Sequence, residues 1–253
     1  MEMNVIRQTL ALIAVNCLVT TACVADTPLF RGDALVLDSG QLLVQSREGQ
    51  GPIRIVEDDT ISVTVVPGDQ WPQDVERDKG NERAELSSQA KILYGGVAAA
   101  QLAMRFYSMG EYQPGRWATV MQLHGPNRGT LTEDSNFRPP VLTLQQRGDE
   151  IAVVARGGND RDNVAHKTTI GTFPADFGQW HDYRVNVALG ENGYVLIDRD
   201  GEPLIRWSGA VGYDAGDRRH YWKMGIYRSA GWDRESKIDL RPGCIGKFED
   251  CEN

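Results

Sequence analysis

The feature that most constrains this chain is the period of its apolar residues, which is two wherever a pattern is readable. The short runs DTISVTVVP, VLTLQQ, EIAVVAR, HDYRVNVAL, GYVLID and PLIRWSG are separated by turn formers such as RGDE, GENG and DRDGE. Strand side chains alternate between two faces, whereas helical ones return to a face every three to four positions, so this spacing selects extended chain. No long stretch carries the helical period. The segment VNVALGENGYVLIDRDGEPLIRW reads as three strands joined by two tight turns, an antiparallel meander. The longest polar connections, residues 68–82 and 125–140, are placed as loops rimming one face or a cleft.

Meanders of this kind build jelly-roll sandwiches, and the same period sorts three further stretches into a polar and an apolar face. In HYWKMGIYRS, residues 220–229, Tyr221, Lys223, Gly225 and Tyr227 share one side, and Trp222, Met224 and Ile226 the other. In NERAELSS, Arg83 and Glu85 lie opposite Ala84 and Leu86; in TVMQLHGP, Gln122 and His124 lie opposite Met121 and Leu123. Taken singly, Arg83 and Glu85 read as a cross-strand ion pair and His124 as a satisfied or solvated histidine sooner than as a catalyst. Taken together, the three segments describe a sheet with an apolar back and a polar front lining a groove, with Gly225 leaving room on that front for something to approach.

In this order, RAEL, QLH and YWKMGIY resemble the signature blocks of the jelly-roll polysaccharide lyases. These are the alginate lyases, with their R-x-E-L, Q-x-H and Y-x-K-x-G-x-Y strands, and the related heparin lyase I and glucuronan lyase group. KMGIYR, together with GQWHDYRVNV and DRDGEPLI, is closest in wording to the heparin lyase I-like branch, and the resemblance spans roughly residues 80–230. It implies an all-β, concanavalin A-like jelly roll of two antiparallel sheets with a concave substrate groove. It also implies β-elimination on a uronic-acid-containing polysaccharide, giving unsaturated oligosaccharides.

Elimination across C4 and C5 of a uronate removes a weakly acidic proton beside a carboxylate, so that carboxylate must first be neutralised. Gln122 and Arg83 suit this task. A base must take the C5 proton and an acid must protonate the departing O4. The resemblance assigns Tyr227 as acid, and on some substrates also as base, with His124 as base or charge neutraliser and Gln122 as the third catalytic group. A neighbouring cation favours a phenolate, and Lys223 is expected to supply it. Arg83, Lys223, Tyr221 and Arg228 are the expected substrate-binding residues. The chain departs from the alginate lyases at Ala84 and at Arg228-Ser229, and Arg228 points toward the heparin lyase I-like branch.

A formal charge of −8 leaves no basic stripe for a nucleic acid and sits awkwardly with a heavily sulfated ligand. A local basic groove from Arg83, Arg116, Arg128, Lys223 and Arg228 is compatible with an acidic exterior, and a non-sulfated polyuronate such as glucuronan or alginate is the expected substrate. A carbohydrate-binding sandwich with Trp71, Trp117 and Trp232 as stacking platforms is the alternative from another class. A retaining glycosidase would show paired carboxylates on one strand, and no Glu-x-Asp-x-Glu pattern is present. The spacing offers no metal site, and the expected chemistry needs no cofactor. His166, His181 and His220 are read as solvated or structural.

The first 25 residues read as an export signal: Arg7, then the apolar TLALIAVNCLV, too short for a mature bilayer span, then small residues. Cleavage after Ala25 competes with cleavage before Cys23, where VTTAC resembles a lipobox and would leave a lipid anchor. Residues 26–253 are then one domain, exported to the periplasm, the outer membrane as a lipoprotein, or the medium, and working as a monomer. Cys244 and Cys251 alone remain in the mature chain, and in an oxidising compartment such an isolated pair is expected to form a disulfide.

Overall fold

The computed structural model describes residues 29–31, 34–37, 40–47, 51–57, 59–76, 80–111, 113–125, 139–158, 166–214 and 219–252. The leader with both its cleavage readings, Arg128 and most of the 125–140 connection lie outside the described residues. One sheet runs, in spatial order, β1 (Leu29–Arg31), β2 (Ala34–Leu37), β3 (Gly40–Ser46), β6 (Glu82–Ser88), β15 (Tyr221–Arg228), β8 (Ala118–His124), β9 (Leu142–Arg147) and β10 (Glu150–Gly158). A further strand, β11 (His166–Pro174), pairs with β10. The second sheet runs β14 (Glu202–Tyr213), β13 (Gly190–Arg199), β12 (Trp180–Ala188), β7 (Val97–Phe106), β16 (Ser236–Lys247), β5 (Thr60–Val65) and β4 (Ile53–Glu57). The pairs within each sheet are antiparallel.

The two antiparallel sheets are those the jelly-roll expectation called for, and they touch at one edge. The long β14 leaves its own sheet at its end and meets β10 in a short parallel contact, Gly157 with Gly212 and Gly158 with Tyr213. The sheets are thereby joined along one side, while β1 and β4 at the two free ends do not pair, so no barrel closes. The expected meander is present as β12, β13 and β14. Its second turn follows from local chemistry: Asp200 (φ 55°) and Gly201 (φ 84°) both adopt positive φ, as a two-residue hairpin turn matching the strand twist requires.

The strand at the centre of the groove-bearing sheet, β15, sends Trp222, Met224 and Ile226 inward, each wholly buried, onto Ala84, Leu86, Met121 and Leu123 of its neighbours. The indole N–H of Trp222 donates to the Gly246 carbonyl (3.2 Å), which ties β15 to the C-terminal segment. That segment ends in the short helix α2 (Phe248–Cys251), and Cys244 and Cys251 are bridged with Cα atoms 5.4 Å apart. Because the closed loop is short, its reduction is expected to cost about 2–3 kcal/mol, or roughly 5–10 °C in Tm. Thermal unfolding with and without reductant checks this. A loss large enough to unfold the domain at room temperature would show that the bridge supports the core and not only the C-terminus.

Candidate active site

The polar front of β6, β15, β8, β9 and β10 lines an open groove of about 530 Å³. Of the residues singled out in the sequence, Arg83, Gln122, His124, Tyr221, Lys223 and Tyr227 all face it. Their alignment is set by register: Tyr221 opposes His124, Lys223 opposes Gln122, and Tyr227 opposes Thr119 on one side and Arg83 on the other. A register shift in β8 between Thr119 and Met121 keeps Thr119 and Gln122 on the same front despite their odd spacing.

Arg228 does not join them. Neighbouring strand residues face opposite sides, and with Tyr227 in the groove Arg228 points into the interior, where it is wholly buried. Its Nε donates to Glu82 (2.6 Å), its Nη1 to Ser236 Oγ (2.6 Å) and the Arg234 carbonyl (2.8 Å), and it stacks on Trp232. Its role is therefore structural, and Trp232, itself buried, is not a sugar platform. Arg116 is not among the groove-lining residues, whereas Trp71 and Trp117 are.

Tyr227 sits in a cradle. Asn81 Nδ2 donates to its hydroxyl oxygen (2.6 Å), the Arg83 guanidinium lies 4.0 Å from its ring centroid, and Trp117 packs edge-on at 4.8 Å. The cation beside this phenol is thus Arg83, not Lys223 as the sequence suggested. Burial nevertheless outweighs Arg83 and raises the phenol above its ordinary pKa, so the resting group is protonated.

Arg83 is itself heavily committed. Asp74, in the short helix α1 (Pro72–Glu76) of the 68–82 connection, grips it through both carboxylate oxygens (Nε 2.8 Å, Nη2 3.2 Å), and Glu85 lies 3.2 Å from Nη1. The ion-pair reading of Arg83 and Glu85 therefore holds alongside their place on the groove front. Glu85 is the hub of the floor: it also accepts from the Gln122 amide and lies 3.7 Å from Lys223 Nζ. Burial lowers Lys223 to about 8 in spite of Glu85.

His124 is buried and its pKa falls to about 3, first through burial and then through Lys223. Its Nδ1–H donates to the Gly125 carbonyl (2.8 Å), which makes Nε2 the acceptor nitrogen of a neutral ring. The ring stacks on Tyr221 with centroids 5.2 Å apart. In this tautomer His124 offers a lone pair and no proton, which suits a base and not the neutralisation of a carboxylate. Of the other histidines, His220 is buried, with Nδ1 on the Ile92 carbonyl and Nε2 accepting from Tyr213 N–H; His181 pairs with Asp200; and His166 is exposed.

Several groove residues escaped the sequence reading. Asp74 and Asn81 come from an irregular connection, where no period marks a face. Arg156 and Lys167 come from β10 and β11, read only as a strand and as a polar run. Among the described residues no three His, Cys, Asp or Glu side chains converge as a metal ion would need, and no helix is long and apolar enough to cross a membrane.

No curated protein matches the sequence significantly. Solved structures do match the fold. An endo-β-1,4-glucuronan lyase from the fungus Trichoderma reesei superposes with a TM-score of 0.58 at 15% identity, covering 88% of this chain and 94% of its own. A family 7 alginate lyase solved with bound substrate gives 0.55 at 13% identity, covering 81% and 89%. An alginate lyase from Pseudomonas aeruginosa gives 0.50 at 17% identity, covering 77% and 86%. At these identities the likeness is one of fold, and it agrees with the jelly roll described above. The polysaccharide lyase family profile, which matches residues 49–240, takes in the groove strands β6, β8, β9, β10 and β15, so the chain belongs to the polysaccharide lyase family.

Proposed function

We propose that this lyase cleaves a non-sulfated polyuronate, glucuronan or mannuronate-rich alginate, by β-elimination, with Tyr227 carrying the proton from C5 to O4. In those polymers the C5 hydrogen and O4 lie on one side of the ring, so one residue can serve both. The phenolate takes the C5 proton, the C4–O4 bond breaks as the C4–C5 double bond forms, and the phenol returns the proton to O4. The observation that carries this reading is the cradle of Tyr227: Asn81 donates to its oxygen and Arg83 lies against its ring, and both stabilise the anion the reaction needs.

Register supports a one-residue path. Tyr227 lies six positions beyond Tyr221, the partner of His124, and its hydroxyl accepts from Asn81 and not from the His124 strand. The opposed pair Lys223 and Gln122 lies between these ends and would neutralise the substrate carboxylate, since Arg83 carries two carboxylate partners, Asp74 and Glu85, and the pair shares only Glu85. The names of the solved relatives, glucuronan and alginate lyases, fit such a substrate. The leader-like start of the sequence and the disulfide fit an exported enzyme.

The test is ultraviolet absorbance of the new double bond, with glucuronan, alginate, heparin and hyaluronan as substrates. Appearance of reducing ends without that absorbance would mark a glycosidase, and sole activity on heparin would replace the substrate class. The pH profile then tests the path. Because the resting phenol is protonated, the phenolate fraction grows about tenfold per pH unit. Lys223 loses its charge above about 8, offsetting that growth. Log kcat/KM on polyglucuronate is therefore expected to climb with unit slope to about pH 8 and then level, with no inflection from His124, which stays neutral throughout. A profile flat from pH 5.5 to 8 would instead assign His124 as base and Tyr227 as acid alone.

A further inference from the structure

We infer that Arg156 and Lys167 form a second anion subsite in the groove, which takes the carboxylate of a uronate residue bound two strands away from His124. The inference rests on the polyuronate reading above. Arg156 on β10 and Lys167 on β11 are direct cross-strand partners, and both line the groove. Like charges placed directly opposite each other destabilise a strand pair. A buried cation also calls for a counter-charge, yet Arg156, only 9% exposed, has no carboxylate partner among the described residues. Its Nη1 donates to the Pro140 carbonyl (2.9 Å), which fixes the guanidinium against the groove wall.

The other two groove cations differ on this point, because Arg83 is matched by Asp74 and Glu85, and Lys223 by Glu85. Arg156 N–H bonds to the Val141 carbonyl, and Val141 N–H to the Leu123 carbonyl, which sets Arg156 near the level of His124 across the sheet. Two strand spacings, about 10 Å, separate β8 from β10. A uronate chain running obliquely over the sheet, from the Tyr227 end of β15 toward the His124 level on β10, thus meets Tyr227 and Lys223 at one part and the Arg156–Lys167 pair several residues further on. A guanidinium receives a carboxylate in a fork of two hydrogen bonds, and the ammonium adds charge from the facing strand.

Arg156→Gln, Lys167→Gln and the double variant are assayed on polyglucuronate over a range of ionic strength. Each single change is expected to raise KM roughly tenfold, with a smaller loss in kcat, and the double variant to flatten the salt dependence. Arg156→Lys should recover part of the loss, and a carboxyl-reduced, neutral polymer should bind wild type and double variant alike. Lys167 is exposed, so Lys167→Gln keeps the test valid if Arg156→Gln fails to fold. Unchanged KM and salt dependence in a Lys167→Gln enzyme that cleaves polyglucuronate would overturn the subsite. Calorimetric binding of polyglucuronate in a Tyr227→Phe background separates the two readings. If wild type cleaves no polyuronate but Arg156→Gln or Lys167→Gln still weakens binding, the subsite stands and the elimination reading falls.

Discussion

Replacing Tyr227 by Phe is expected to lower kcat on polyglucuronate by about 10⁴-fold while changing the affinity for the polymer by less than about threefold. The ring would stay where it is, edge-on to Trp117 and over the Arg83 guanidinium, because those contacts involve no hydroxyl. What is lost is one oxygen, the one that accepts from Asn81. If that oxygen takes the C5 proton and returns it to O4, both proton transfers fail together, and a group acting in the transition state shows its loss in kcat. His124→Ala gives the contrast. Its acceptor nitrogen would be the base only where C5–H and O4 lie on opposite sides of the ring, so residual activity on polyglucuronate should remain, with near-complete loss on a guluronate-rich polymer. Initial rates of double-bond formation and binding isotherms on both polymers check this. Turnover by Tyr227→Phe within tenfold of wild type would exclude Tyr227 as the proton carrier.

The second large effect is structural. Gly225→Ala is expected to destabilise the fold by about 4 kcal/mol, a Tm loss of roughly 10 °C or more. Gly225 holds φ at +129°, which side chains rarely adopt, and a Cβ there would lie 2.3 Å from the Ala84 carbonyl oxygen on β6. The room left by this glycine is therefore taken by the neighbouring strand and not by a ligand, which corrects the expectation from the alternation of HYWKMGIYRS. The irregularity lies between Met224 and Tyr227, where the pairing of β15 with β8 shifts. Lys223 and Tyr227 flank it, so a displaced β15 should cost activity along with stability. Thermal unfolding and the elimination assay on the same preparation test both consequences. A variant as stable and as active as wild type would mean that β6 and β15 do not approach this closely.

Alternation along the chain settles facing before any strand has found a partner. Successive Cβ atoms on a strand point to opposite faces by covalent geometry alone, so the faces of Arg83, Gln122, Lys223 and Tyr227, and the burial of Trp222, Met224 and Ile226, were legible without any partner strand. The same alternation sets Arg228 opposite Tyr227; the family wording, not the period, had drawn it toward the substrate. The pairing of Cys244 with Cys251 was legible because no other cysteine follows position 25. Tertiary structure alone decided which strands adjoin and what each charge meets. It brought Asp74 and Asn81 from a connection without period to grip Arg83 and Tyr227, which exchanged Lys223 for Arg83 as the cation beside the phenol. It also set Arg156 against Lys167 through a register that neither strand encodes alone. Facing is a property of one residue and its neighbours in the chain, whereas register, burial and compensation of charge belong to groups far apart in sequence, and they exist only once the sheets have formed.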